Sequence, residues 1–297
     1  MDSDDLTQVI ADLGARVNGL PENVPEVVPQ LLALLETHEE SRVIAEIIDA
    51  LGCAWDEAAN LAVLPYASHP DPAVRLAVTQ AIPGGTDSRA GMELVADALI
   101  RLSRDDIDEI RDWATFGLGS NLPIDNDEVR AALFARLGDS SEDVRDEAVA
   151  GIARRRDQRA VDIVAECLAE DTVGPLVFEA AEYLGDPRLH EALLRWRELD
   201  PDNDLVSSAL RACDREYQRA RLQHQIALRI AVERAMAERG VHTAAYVYCD
   251  RDDVSVLLGV DASEGRRWIV ETILEQAGDD VDVAARRVVS DFEADRG

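Results

Sequence analysis

Lysine is absent from this chain: its basic residues are all arginine, 30 of them against 60 acidic residues. With the abundance of Ala, Val, Asp and Gly, that usage reads as the coding bias of a high-GC bacterial genome rather than as a functional mark. Aromatic residues make up only 4% of the sequence. The four cysteines, Cys53, Cys167, Cys213 and Cys249, are scattered with no CxxC pair. This excludes a disulfide framework and a thiolate zinc site, and it points to reduced thiols in a cytoplasmic protein. The histidines His38, His69, His190, His224 and His242 show no HxxxH or HExxH spacing, and no nucleophile elbow, P-loop or GxGxxG is present. The acids of DRDD (250–253) lack the glycine and distal glutamate of a calcium loop and read as a solvated turn. Cys249 has neither a neighbouring base nor a helix N-terminus to activate it. The expectation is a non-enzyme with no cofactor and no metal. No apolar run approaches membrane-spanning length, and the opening MDSDDLTQVIADLG is acidic and amphipathic, unlike a signal peptide.

What is present is negative charge and apolar material. The net charge is −30, and 47% of residues are hydrophobic, enough for a substantial core. A field of this sign repels nucleic acid and anionic membranes and speeds encounter with cationic partners, besides keeping the surface solvated.

The chain repeats itself. DPAVRLAVTQAIPG (71–84), DIDEIRDWATFGLG (106–119) and SEDVRDEAVAGIAR (141–154) share an acidic or small polar opening, an aliphatic–Arg pair, and small and aliphatic residues at helical spacing. Weaker copies without the Arg are SRVIAEIIDALG (41–52) and GPLVFEAAEYLG (174–185). The aliphatics closing these segments are Leu51, Ile82, Leu118, Ile152 and Leu184, about 32 residues apart, with a degenerate sixth unit ending near Leu210. A second set of amphipathic segments lies between them, at 24–36, 56–67, 89–103, 127–138, 159–170 and 187–199. Each unit is thus a helical hairpin whose apolar face is covered only by stacking, which defines an α-solenoid.

The pattern DxxVRxxAxxxLG, followed by LGDPRLHEALLRWREL, resembles HEAT-like repeats of the phycobilisome-lyase type over roughly residues 20–210. RDWATFGLG further resembles a bacterial subgroup of such proteins. The tetratricopeptide signature is missing. The resemblance implies an interaction scaffold in which the second helix of each unit lines the concave side; some members are lyase subunits and others DNA glycosylases.

Superposing the units places Ile110, Ala114 and Leu118, and likewise Val144, Ala148 and Ile152, toward the core. Trp113 and Phe116 fall between, at positions held in other units by Glu46 and Asp49, Ala77 and Gln80, Glu147 and Ala150, Glu179 and Glu182. The expected feature is an acidic groove of Glu46, Asp49, Glu147, Glu179 and Glu182 around an aromatic centre, with Asp112 and Asp146 on its shoulder. The opposing reading packs Trp113 between repeats, against Ala77. Arg75, Arg111 and Arg145 recur at one position, with Asp71, Asp105 or Asp106, and Glu142 nearby, and are expected to form structural inter-repeat salt bridges. Arg154, Arg155 and Arg156 are expected to complement the negative end of their own helix.

Beyond residue 213 the repeat is lost. Residues 214–240 read as one long helix, and 211–240 carry seven Arg against four acids; it either docks on the acidic solenoid or forms a homodimer seam through Ile226 and Ile230. Residues 243–260 read as a β-hairpin, and 264–278 and 280–297 as helices. The fold class is therefore mainly α: a solenoid of about six HEAT-like hairpins (1–213), a connecting helix (214–240) and a small α+β module (241–297). The expected function is a protein-binding adaptor whose groove receives a basic protein segment, without direct nucleic-acid or membrane binding. Two alternatives are kept: an acidic inhibitor or immunity-type protein mimicking nucleic acid, and a lyase-like maturation factor.

Overall fold

The structure is a computed structural model describing residues 3–241, 243–250, 253–260 and 267–294. Side-chain surroundings are described for 5–241, 269–270 and 272–294. The chain divides into two units, Met1–Leu210 and Arg211–Gly297.

The first unit is helical throughout. In chain order its helices are α1 (Ser3–Val17), α2 (Val24–Thr37), α3 (Ser41–Gly52), α4 (Glu57–Val63), α5 (Pro72–Ala81), α6 (Arg89–Leu102), α7 (Asp108–Phe116), α8 (Asp127–Arg136), α9 (Glu142–Arg154), α10 (Ala160–Leu168), α11 (Pro175–Leu184), α12 (His190–Leu199) and α13 (Asp204–Cys213), the last crossing into the second unit. The odd helices α1, α3, α5, α7, α9 and α11 pack each on the next as one layer, and the even helices α2 to α12 lie against them as the second. The repeat-closing aliphatics Leu51, Ile82, Leu118, Ile152, Leu184 and Leu210 are all buried. Helix starts are set by short polar caps: Asp56 accepts from Ala59 N at 2.9 Å, Ser88 from Gly91 N at 3.0 Å and Asn126 from Val129 N at 2.8 Å.

Three details depart from the sequence reading. Segment 56–67 is not one helix, because Pro65 has no N–H to continue the ladder and Leu64–Ser68 tighten into a 3-10 turn. Helix α7 closes in a π-turn, Gly117–Asn121, with Leu122 N donating to Gly117 O at 2.9 Å. Helix α1 joins the odd layer, burying Leu6, Ile10, Leu13 and Val17 at its start.

The arginine ladder is interlocked rather than paired within each unit. Arg75 forks onto Asp105 at 2.6 and 2.9 Å, and Arg111 onto Asp139 at 2.9 and 2.8 Å. Each arginine also donates backward to the carbonyl six residues before it: Arg75 to His69 O, Arg111 to Asp105 O, Arg145 to Asp139 O, at 2.8 to 3.0 Å. Asp105 and Asp139 are therefore held by side chain from one repeat and by backbone from the next. The partners named from sequence are corrected accordingly. Asp71 caps α5 through Ala73 N instead, and the loop aspartate of the following repeat, not Asp106 or Glu142, takes the guanidinium. The series ends where Thr172 and Phe178 occupy the aspartate and arginine positions.

In the second unit α14 (Arg215–Ala237) is followed by β1 (Thr243–Asp250), β2 (Asp253–Val260), β3 (Arg267–Ile269), α15 (Val270–Gln276) and α16 (Val281–Ala294). The strands form one antiparallel sheet in the order β1-β2-β3, in register from Thr243↔Val260 to Asp250↔Asp253 and from Leu257↔Ile269 to Gly259↔Arg267. Residues 264–278, expected as a single helix, divide: β-forming Trp268 and Ile269 pair with β2, and the helix starts only at Val270. Residues 261–266 lie outside the described residues. Leu228, Val232 and Met236 of α14 build a common core with Ile273, Val288 and Phe292, so the long helix belongs with the C-terminal segment instead of standing as a separate connector.

Candidate functional site

The stripe of sequence-derived candidates runs along the odd layer. On α7, Trp113 is 37% exposed, and its ring meets Phe116 edge-on with centroids 5.8 Å apart. Phe116 is half-buried. The rest of the helix explains this placement: Ile110, Ala114 and Thr115 take the buried face, and Thr115 Oγ1 donates back to Arg111 O at 2.7 Å. Trp113 is thus left at the surface, which sets aside the reading that seals it between repeats.

The candidate carboxylates lie on α7, α9 and α11, successive helices of the same layer. Asp112 is half-buried, and its Oδ1 has no hydrogen-bond partner among the described residues. Burial first, then Asp143, Asp108 and Glu109, raises it above the ordinary carboxylate range. On α9, burial pushes Glu147 up to about 7; Asp112 and Glu179 add to the rise, while Arg154 and Ser120 Oγ, at 3.5 Å, oppose it. Asp146, also on α9, is raised by burial and then by Glu142. On α11, Glu179 accepts from Arg154 at 3.3 Å, whose guanidinium lies 5.3 Å from the Tyr183 ring centre, and Glu182 is exposed. Asp112 of α7 and Glu179 of α11 therefore both act on Glu147 of α9.

Glu46 and Asp49 do not join that group. They sit on α3, with α5 between α3 and α7 in the layer. Glu46 accepts from Thr7 Oγ1 of α1 at 2.8 Å and pairs with Arg42 at 3.2 Å, while its charge adds to the burial that raises Asp49. At the intervening stripe positions Ala77 is buried and Gln80 exposed and uncharged; Ala150 on α9 is buried as well. The acidic residues expected to flank one groove thus form two groups, separated by α5, whose stripe positions are uncharged.

The raised Glu147 ties the stability of the fold to pH. In the folded chain it keeps a proton that an unfolded carboxyl, near 4.5, has already released. Its contribution to stability is complete below about pH 4.5 and is lost as pH rises toward 7. Glu147→Gln, neutral at every pH, is expected to match the parent below pH 4.5 and to exceed it above pH 7 by about 1 kcal/mol, a figure reduced because the side chain is only half-buried. Urea unfolding of both proteins across that range checks this; a pH-independent difference would contradict it.

Sequence reasoning missed three features. The run Arg154, Arg155, Arg156 does not act as a unit. Arg154 turns to Glu179, and Arg156 adopts φ +50° at the helix end. Arg155 donates to Leu118, Gly119, Leu122 and Ile124 carbonyls of the preceding repeat at 2.7 to 3.3 Å, besides Gly151 O of its own helix at 2.9 Å. Trp55, 70% exposed with φ +50°, lies over Gly84, away from the stripe; the pattern of repeats holds no signal for it. Gly119 and Gly151 form a backbone-to-backbone crossing between the end of α7 and α9, visible in the sequence only as two glycines 32 residues apart.

Among the described residues no group of three His, Cys, Asp or Glu side chains is placed to hold a metal ion. Burial raises the thiols of Cys53 and Cys167, and Cys213 is buried. His242 lies outside the described residues, as does the middle of the DRDD segment, and nothing is described of the Cys249 side chain. No helix among the described residues is long and apolar enough to cross a membrane.

Comparison with known proteins agrees with this architecture. The profile of the family described as HEAT repeats matches residues 28–119 and 95–185. Protein YibA of Escherichia coli K12 is 34% identical over 112 residues, 38% of this chain and 40% of that protein, so the match spans about two fifths of the curated relative's length. The X-ray structure of YibA covers 72% of this chain and 82% of its own at 22% identity with a TM-score of 0.55, a likeness of fold. The complex of CpcE and CpcF of phycocyanin lyase from Nostoc aligns over 72% of this chain and 90% of that one at 14% identity, with a TM-score of 0.43, too loose to carry function. HEAT repeats generally mediate protein binding. With stacked hairpins, buried repeat markers and the profile covering more than half of its length, this chain belongs to the HEAT-repeat family.

Proposed function

We propose that the chain is a non-catalytic, cytoplasmic adaptor that binds a basic protein segment along its odd-helix layer. Trp113 and Phe116 are the apolar anchor, and Asp112, Asp146, Glu147, Glu179 and Glu182 are the acidic surround. The observation that carries this reading is the exposed Trp113, edge-packed on Phe116, in the same helix layer as Glu147, whose carboxyl is raised by burial and by the charges of Asp112 and Glu179. A protein ordinarily separates like charges; carboxylates held together and partly desolvated gain most from a cation brought between them. An aromatic anchor ringed by charge is a frequent form of interface centre. Glu46 and Asp49, two helices away, extend the acidic surface for a longer segment. The net charge of −30 speeds the encounter.

An oligo-arginine peptide titrated by calorimetry tests this. Binding is expected to weaken steeply between 50 and 300 mM salt and to strengthen as pH rises through about 7, as Glu147 ionises. Trp113→Ala is expected to cost about tenfold or more in affinity without unfolding the chain. Affinity indifferent to salt and to Trp113→Ala would overturn the assignment.

A further inference from the structure

One face of α14 carries exposed aliphatic side chains. While Leu228, Val232 and Met236 are buried in the core of the second unit, Leu222, Ile226 and Ile230 on the opposite side are 57%, 47% and 45% exposed. These three lie four residues apart, so they form one aliphatic row along the helix surface. Arg219 stands seven residues before Ile226 and Glu233 seven after it, on the same face by helical periodicity. The face is therefore symmetric about Ile226 in size and opposite in charge: Arg219, Leu222, Ile226, Ile230, Glu233.

A helix with this pattern is complementary to itself when turned end for end. We infer that α14 is the seam of an antiparallel homodimer, with Ile226 facing Ile226 of a second copy and Leu222 facing its Ile230. Arg219 of each copy then reaches Glu233 of the other, which is already held within its own helix by Arg229 at 3.5 Å. A parallel arrangement brings Arg219 against Arg219 and Glu233 against Glu233, and like charges across a helix pair are repulsive. The charge pattern thus selects a second copy of this chain, in one orientation, as the occupant. A seam of three aliphatic pairs is small, and the dimer is accordingly weak and concentration-dependent.

Sedimentation equilibrium of the full chain tests the inference independently of the groove, since no residue of the odd layer is involved. The mass is expected to rise from 32.5 kDa toward twice that value between micromolar and millimolar chain. Ile226→Glu is expected to hold it at the monomer with an unchanged circular dichroism spectrum. Arg219→Glu and Glu233→Arg are each expected to weaken association about tenfold or more, and the double exchange R219E/E233R to restore it, because both cross-pairs are re-formed with reversed signs. A monomer at every concentration, a dimer that survives Ile226→Glu, or a double exchange no better than the single ones would overturn it.

Discussion

Arg155→Met is expected to destabilise the helical unit by about 3 to 5 kcal/mol, the largest loss for any single side chain discussed here. Arg155 is 7% exposed, and its guanidinium collects five carbonyls. Four of them, Leu118, Gly119, Leu122 and Ile124, leave the end of α7 through its π-turn, where no following turn supplies N–H groups. Methionine fills much of the volume but donates nothing, so several partly buried acceptors lose a donor at once. Arg155→Lys keeps the charge without the planar fork and is expected to recover less than half of the loss. Urea unfolding measures the difference, and amide exchange should locate it, with faster exchange in 117–126 and 142–154. A change under about 1 kcal/mol would show that the carbonyls find water instead.

Gly151→Val is expected to cost about 3 kcal/mol or more, and even Gly151→Ala to destabilise, reversing the ordinary gain of roughly 1 kcal/mol for alanine inside a helix. A Cβ on Gly151 meets the Gly119 Cα at 2.6 Å, and one on Gly119 meets the Gly151 Cα at 3.1 Å. Both obstacles are backbone, so no rotamer change relieves the contact, and α7 and α9 must part. That separation would also move Asp112 away from Glu147, whose carboxyl its charge raises. Gly138→Ala is the control: a Cβ there meets nothing within 4 Å, and little change is expected. Thermal unfolding of the three variants settles the order; a stabilised Gly151→Ala would contradict the crossing.

The repeat was readable because its signal is periodic. Leu51, Ile82, Leu118, Ile152 and Leu184 sit at one phase of a helix and are all buried, a regularity that spacing along the sequence reveals. The phase also places Trp113 outside the core positions of α7. What periodicity does not encode is distance between helices. The partners of Arg75 and Arg111 lie 30 and 28 residues further on, across a repeat junction, while acids closer in sequence looked equally suitable. Ala77 and Ala150 share the stripe's phase yet are buried, because adjacent odd helices approach closely where side chains are small. The division of Arg154 from Arg155 follows from which neighbour each residue faces, and one helix's sequence carries no trace of its neighbours. In the second unit, Arg267–Ile269 was taken into a helix because its pairing partner, β2, lies about ten residues away and only the pairing makes it a strand.

A basic segment settled on the odd layer around Trp113, as proposed, shields the amides of the helices beneath it. Hydrogen–deuterium exchange with and without a saturating oligo-arginine peptide tests it most directly. The account predicts slowed exchange in 108–121, 142–154 and 175–184, little change in the even helices at 127–136 and 160–168, and loss of the effect in Trp113→Ala. Protection confined to the even helices, or protection that Trp113→Ala leaves intact, would contradict it.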